Sequence, residues 1–298
     1  MKTQNLITPA FRTALVMVAI ATTALLSACA DEPSPADKGD PWTEVLKQGH
    51  GTLKALYVPA EGFAYRDEEG RLTGVTVELI RDLAAFVNEE HGVALKVEFE
   101  KEEDWSVFYN RIVNGGDGLI GFGNVTITEE RKNELAFSPP YMNNIASLIT
   151  HQDVPELNSF DELSSAFEGM KALAFEGTLH EKRLRMLVEK HIPAAEVHFA
   201  ASNDEIVERV SANNTYFAYI DLYNFFRATN RGEPIKRHHM GDEAAEQFGY
   251  VMPLKTTWDE VTEQYFSHNN GLTESTRYRH IMEKHLGKDL ATLLIDGN

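Results

Sequence analysis

The stretch Asn124–Tyr141, NVTITEERKNELAFSPPY, holds an apolar run, two threonines, a charged cluster and a Pro pair. Thr128 stands where an N-cap belongs and Thr126 to Glu129 has capping-box spacing, so a helix is predicted from about Glu129. Glu129 and Glu130 suit the positive end of that helix and Arg131 does not. An arginine that breaks a local rule is a candidate for function. Side chains on a helix lean toward its N-terminus. Arg131 is therefore expected to hang over the mouth of the strand before it, beside outward-pointing backbone N–H groups, where fork and donors suit a carboxylate. Pairing with Glu134 on a solvated face is the alternative.

Around this stretch, short apolar runs alternate with amphipathic ones. TLKALYV (52–58), VALKVEFE (93–100) and GLIGFGNV (118–125) read as strands. Between the first two, VTVELIRDLAAFVNEEHG has helical spacing at Val77, Ile80, Leu83, Ala84 and Val87, with Gly92 as C-cap; WSVFYNRIVNGG is a helix stopped by its Gly pair. ASLITH reads as a strand leaving this unit, after which the alternation restarts: MKALAFEG, AEVHFA and YFAYID as strands, the segments between and after them as helices. QFGYVMPL reads as a return strand, and WDEVTEQYFSHNNG and ESTRYRHIMEKHLG as terminal helices. The order predicts an α/β chain of two lobes, each a mostly parallel sheet flanked by helices, with a ligand cleft between them. The expected divisions are 49–148 and 149–246 for the lobes, with 247–298 returning to the first.

The 298 residues carry a net charge of −18, which argues against nucleic acid or an anionic membrane face as partner. Lys2 and Arg12 precede an apolar stretch, Ala14–Leu26, that is short for a membrane span and right for a signal sequence. It ends in Leu26-Ser27-Ala28-Cys29. An ordinary secretory signal cut here would leave an unpaired thiol; the pattern resembles the lipobox of bacterial lipoproteins, which implies cleavage before Cys29 and its lipidation. Cys29 is the sole cysteine, so no intramolecular disulfide forms, and an acyl carrier accounts for an odd thiol in an exported chain. Residues 1–28 are thus expected to be a lipoprotein signal peptide, and 29–48, opening with ADEPSPADKGDP, a flexible tether to a periplasmic or extracytoplasmic body. Ala30 after the cysteine favours the outer membrane by resemblance to Gram-negative sorting rules.

EGFAYRDEEGRLTGVTVELIRDLA, WSVFYNRIVNGG and the opening stretch resemble, in order and spacing, the family 3 bacterial extracellular solute-binding proteins, the amino-acid-type binding proteins of ABC importers. The resemblance covers Leu53 to Gly287, and the T-I-T-x-E-R…F-S-x-P-Y run is its most specific part. It implies a Venus-flytrap fold, an amino acid or related carboxylate as ligand, an ABC permease in the inner membrane as partner, and no cofactor. It also implies roles. Arg131 grips the α-carboxylate, assisted by Thr126 and nearby backbone; Phe63 stacks on the ligand; Gly177 and Thr178 complete the clamp; Asp221 takes the ammonium. Asn124, where the family often has Gly, bonds either ligand or backbone. Glu129, Leu119 and Leu179 also stand where the family often has Pro, an acid and a hydroxyl, which leaves the side-chain pocket open.

Each candidate has a plainer reading: Thr126, Thr128, Thr178 and Asp221 as helix caps, Phe63 and Tyr65 as core aromatics. His238-His239 suggests no metal site, since adjacent strand residues face opposite ways and no partner stands at ligand spacing. Two other functions compete with a receptor. One is a dehydratase of the cyclohexadienyl or arogenate type on the same fold, with Glu176 as the acid. The other is a ligand-sensing subunit, disfavoured here because the sequence ends at Asn298 without an output domain. No G-x-S-x-G, Walker A, H-E-x-x-H or C-x-x-C motif is present.

Overall fold

The structure, a computed structural model, describes residues 37–296. The signal peptide, Cys29 and the first part of the expected tether lie outside the described residues.

In chain order the elements are α1 (Trp42–Gln48), β1 (His50–Tyr57), the hairpin β2 (Tyr65–Arg66) and β3 (Leu72–Thr73), α2 (Val75–His91), β4 (Ala94–Lys101), α3 (Trp105–Val113), β5 (Leu119–Thr126), β6 (Leu135–Phe137) and β7 (Met142–His151). There follow α4 (Leu163–Ala166), β8 (Lys171–Phe175), α5 (Leu179–His191), β9 (Val197–Ala200), α6 (Asn203–Ala212), β10 (Tyr216–Asp221) and α7 (Leu222–Asn230). The chain closes with β11 (Ile235–Pro253), α8 (Asp259–Ser267), α9 (Thr276–Leu286) and α10 (Lys288–Asp296).

The strands run β4-β1-β5-β11-β7-β10-β8-β9, with β6 also on β11. β4, β1 and β5 pair in parallel at one end, β10, β8 and β9 at the other. Between them β7 and β11 run antiparallel to each other and to their outer neighbours. Two parallel half-sheets are thus joined through two long strands, and each half has its own core. Phe63, Ile80, Tyr141, Phe248 and Trp258 belong to the first; Leu148, Phe167, Leu184 and Phe217 belong to the second. This is the expected two-lobed α/β fold. β7 changes core between Met142 and Ala146, so Ala146 and Leu148 pack in the second lobe although the division at 148 put them in the first. The reason is register: β10 pairs with β7 from Ala146 to Thr150 and draws that end into its own core.

Local sequence explains the elements that shape the site. α2 buries Val75, Leu79, Ile80, Leu83, Phe86 and Val87, one face at 3–4-residue spacing, and Gly92 ends it at φ 66° with its N–H on the Asn88 carbonyl, 3.0 Å away. β5 is apolar and buried almost throughout because β1 and β11 flank it on both edges.

Three expectations are corrected. The tether does not extend to residue 48. Arg111 pairs with Asp37 at 2.6 Å, the Asp40 carboxylate accepts the Thr52 N–H at 2.8 Å, and α1 packs Trp42 against Trp258 with ring centroids 5.2 Å apart. Burial of Trp42 outweighs the polar composition before it. The helix expected after Thr128 is a single 3₁₀ turn, Arg131–Asn133, leading straight into β6. The return strand begins at Ile235, not near Gln247, and its register against β7 shifts between His238 and Glu246.

His238 sits in the second lobe with 0% of its surface exposed. The Leu157 N–H donates to its Nδ1 at 3.2 Å, so its Nε2–H donates to the Thr150 hydroxyl at 2.8 Å. Burial, aided by Lys236, lowers its pKa from 6.5 to about 4. The unfolded chain therefore takes up a proton between these values that the folded one refuses, so this residue's contribution to stability falls as pH drops from 6.5 toward 4, by about 3 kcal/mol at most. Denaturant melts from pH 7 to 4 should show a shallower loss for His238→Gln than for the parent; parallel curves would exclude this residue as the source.

Candidate functional site

A cavity of about 370 Å³ opens where the carboxyl ends of both half-sheets meet. From the first lobe come Val58–Ala60 after β1, Glu103 and Trp105 after β4, and Asn124 and Thr126 at the end of β5. From the second come Phe175 at the end of β8, Ser202–Asp204 after β9 and Asp221 at the end of β10. α3, α5, α6 and α7 each begin at this cavity, so four helix N-termini converge on it.

Arg131 lines the cavity. Its NH1 donates to the Thr126 carbonyl at 3.0 Å, and its guanidinium carbon lies 5.6 Å from the centre of the Tyr109 ring. No carboxylate among the described residues lies within 4 Å of its charge; Glu134, the pairing alternative, instead accepts from the Tyr109 hydroxyl at 2.5 Å. Desolvation lowers the Arg131 pKa, with Tyr109 acting in the opposite direction. The 3₁₀ turn does the orienting that a helix was expected to do, with the Thr128 hydroxyl accepting the Arg131 N–H at 3.2 Å. Thr128 is a cap, and Thr126 brings a carbonyl to Arg131 and a hydroxyl that bonds no other described residue.

Asn124 adopts φ 56°, left-handed backbone that an Asn tolerates and most side chains do not. That is the physical reason a Gly or an Asn fits there. Its Oδ1 accepts from the buried Tyr141 hydroxyl at 2.9 Å, while its buried Nδ2 completes no hydrogen bond among the described residues.

Asp221 is held rather than free. Its Oδ1 accepts from Asn144 Nδ2 at 2.6 Å and from His180 Nε2 at 3.0 Å. The His180 Nδ1 accepts from Arg183 at 2.7 Å, which places the proton on Nε2. Arg183 also bonds Glu246, and Glu246 accepts from Asn144 at 2.8 Å, closing a ring of five side chains. Burial alone would lower the Arg183 pKa, but Glu246 and Glu243 overcome it and the pKa is raised. One carboxylate oxygen of Asp221 is thereby left for the cavity with its orientation fixed.

The other expected residues are placed differently. Phe63 does not line the cavity; it is 1% exposed and packs edge-on against Tyr223 with centroids 4.7 Å apart. It is a core aromatic because the turn after β1 folds it beneath the cavity floor. Gly177 lies off the cavity, and its N–H donates to the Glu181 carboxylate at 2.8 Å. Thr178 lines the cavity, but both its N–H and its hydroxyl donate to the Phe175 carbonyl, at 3.3 and 2.7 Å. Both donors of Thr178, like the Gly177 N–H, are thus engaged within the protein in this structure. Glu176, the acid of the dehydratase alternative, is exposed and off the cavity. His238 and His239 diverge as expected, one buried and one on the surface.

Sequence reading missed Trp105, His180, Tyr223, Asn224 and Arg227. Trp105 was findable: Asp104 caps α3 by accepting the Val107 N–H at 2.9 Å, which puts the next residue at the strand ends. Across the cleft, Lys182 pairs with Glu130 at 2.5 Å and Arg227 approaches Glu61 at 3.6 Å. The first is a solvated contact worth about 0–1 kcal/mol, whereas in the second the Arg227 side chain is only 14% exposed.

Residues 55–288 match the model of the bacterial extracellular solute-binding proteins, family 3. The chain belongs to that family. A probable ABC transporter extracellular-binding protein, YckB of Bacillus subtilis (strain 168), is 24% identical over 205 residues, covering 67% of this chain and 65% of that one. A probable histidine-binding protein of Neisseria gonorrhoeae is 30% identical over 149 residues, half of each chain. This chain thus matches between half and two thirds of the length of these curated relatives. Among solved structures, an ABC uptake transporter substrate-binding protein from Streptococcus pneumoniae with bound histidine superimposes with a TM-score of 0.64 at 19% identity, over 84% of this chain and 98% of that one. That likeness is one of fold. No helix among the described residues is long and apolar enough to cross a membrane.

Proposed function

We propose that this protein is an extracytoplasmic binding lipoprotein that captures an amino acid between its lobes for uptake by an ABC permease. The observation that carries the reading is Arg131: a guanidinium on the cavity wall, partly desolvated and with no carboxylate within 4 Å among the described residues. Such a charge gains from a ligand anion what the protein withholds from it. Asp221 supplies the opposite charge on the other lobe, aimed by His180 and Asn144. A zwitterion satisfies both, and because they sit on different lobes it favours the closed state through contacts made only there. Family membership and the names of the relatives support amino-acid transport, and the lipobox-like Leu26–Cys29 supports a lipid anchor at Cys29. The lobes divide along β7 and β11, which serve as the hinge.

Thermal denaturation against the proteinogenic amino acids tests this. A ligand at about 100 times its Kd should stabilise by about 2.7 kcal/mol if it binds only the folded state. A shift with the ligand recovered intact supports the receptor, and a flat panel overturns the reading.

A further inference from the structure

We infer that the cavity carries a second polar subsite, at the first turns of α6 and α7, that takes a neutral amide at the far end of the ligand. The inference rests on the reading of Arg131 and Asp221 as the grip on the amino-acid head. Asn224, in the first turn of α7, lines the cavity, is 2% exposed, and sits beside the Tyr223 hydroxyl with an Nδ2 that completes no hydrogen bond among the described residues. Asn203, the first residue of α6, lines the same cavity with a buried Oδ1 that accepts from no described residue. Buried polar groups without partners are rare and costly, and here a donor and an acceptor of that kind face one cavity from adjacent helices. A carboxamide answers both: its carbonyl accepts from Asn224 and its amide nitrogen donates to Asn203.

Charge decides against the ionic alternatives. Arg227, one turn beyond Asn224, already bonds Asp204, and its buried Nε, which completes no hydrogen bond among the described residues, has the Glu61 carboxylate at 3.6 Å to balance its charge, while Arg231 reaches Glu61 at 3.4 Å. Two guanidinium groups and two carboxylates leave the region balanced. A ligand carboxylate would meet Asp204 and Glu61 and leave the Asn203 oxygen facing an anion. A ligand ammonium or guanidinium would satisfy Asn203 and leave Asn224 unanswered. A site built of hydrogen-bonding groups discriminates strongly against a ligand that leaves them unpaired.

Calorimetric titration of the purified protein with L-glutamine, L-asparagine, L-glutamate, L-arginine and L-leucine tests the subsite. One of the two amides should bind at least tenfold more tightly than glutamate, arginine or leucine. Asn224→Leu should lose at least tenfold for that amide and change leucine binding little, and Asn203→Ala should narrow the amide-over-glutamate preference without the risk of a core substitution. If glutamate, arginine or leucine binds as tightly as the amides, or if both variants keep the parent preference, the subsite is refuted while the grip on the amino-acid head stands. If none of the five binds while another amino acid of the wider panel does, the subsite alone is refuted; if that panel is flat as well, both fail together.

Discussion

Arg131→Ala is expected to weaken amino-acid binding by about 2–5 kcal/mol, which is roughly 30- to 5,000-fold, while the unliganded protein melts at an unchanged or slightly higher temperature. The two halves of this expectation have one cause. Desolvation of the guanidinium, which lowers its pKa, opposes the charged form in the unliganded state, and the described residues offer it a carbonyl and an aromatic face but no carboxylate within 4 Å. Removing it therefore relieves a cost in the empty protein and forfeits the charge-assisted pair in the complex. Arg131→Lys sharpens the test. A lysine keeps the charge but loses the planar fork that donates at once to Thr126 and to a carboxylate, so binding should fall by at least tenfold. Calorimetry with the best ligand of the amino-acid panel, beside denaturant melts of each variant, reads both quantities. A marked drop in the stability of the unliganded Ala variant would make Arg131 a structural residue and remove the foundation of the functional reading.

How much of this was legible beforehand depended on how local the cause was. α2 could be read from its spacing and its terminal Gly92, and β5 from its unbroken apolar run, because each announces its burial within a few residues. Arg131 was legible as an anomaly, though its setting was misread: three residues of 3₁₀ turn suffice, since Thr128 orders the Arg131 N–H and β6 pulls the chain away at once to pair with β11. β11 was half invisible. Its first stretch, IKRHHMGDEAAE, is polar and slips register against β7, so neither alternation nor an apolar run marked it. Phe63 was misplaced because an aromatic after a strand fits the ligand or the core equally well on composition, and only packing against Tyr223 decides. The residues that complete the cavity, His180, Asn203 and Asn224, lie in first turns of three different helices. They meet because β8, β9 and β10 are parallel neighbours and deliver those helices to one edge, a fact of topology that no local pattern contains.

The same dependence on register gives the largest expected effect on stability. Asn144 and Glu246 are paired across β7 and β11, and the β10–β7 register sets Asp221 beside Ala146, so Asn144 bridges the two carboxylates. Arg183 completes the ring from α5 with only 9% of its side chain exposed, and its removal leaves Glu246, equally buried, without its cation. Arg183→Met keeps much of the apolar stem against Tyr219 but strands that carboxylate, and should destabilise the protein by about 3–5 kcal/mol. The double variant Arg183→Met/Glu246→Leu removes both charges together and should recover much of the loss, because the cost lies in an unpaired buried ion more than in the pair's own strength. Binding separates the ring's second role. With both charges gone, the fold returns but His180 no longer has Arg183 at Nδ1 to keep its proton on Nε2, so the hydrogen bond with which it aims Asp221 weakens. The double variant should therefore fold nearly as the parent does and still bind the amino acid several-fold more weakly, by denaturant melts and calorimetry respectively. Full recovery of both would confine the ring to stability, and no recovery of the fold would show that the pair itself, not its imbalance, holds this lobe together.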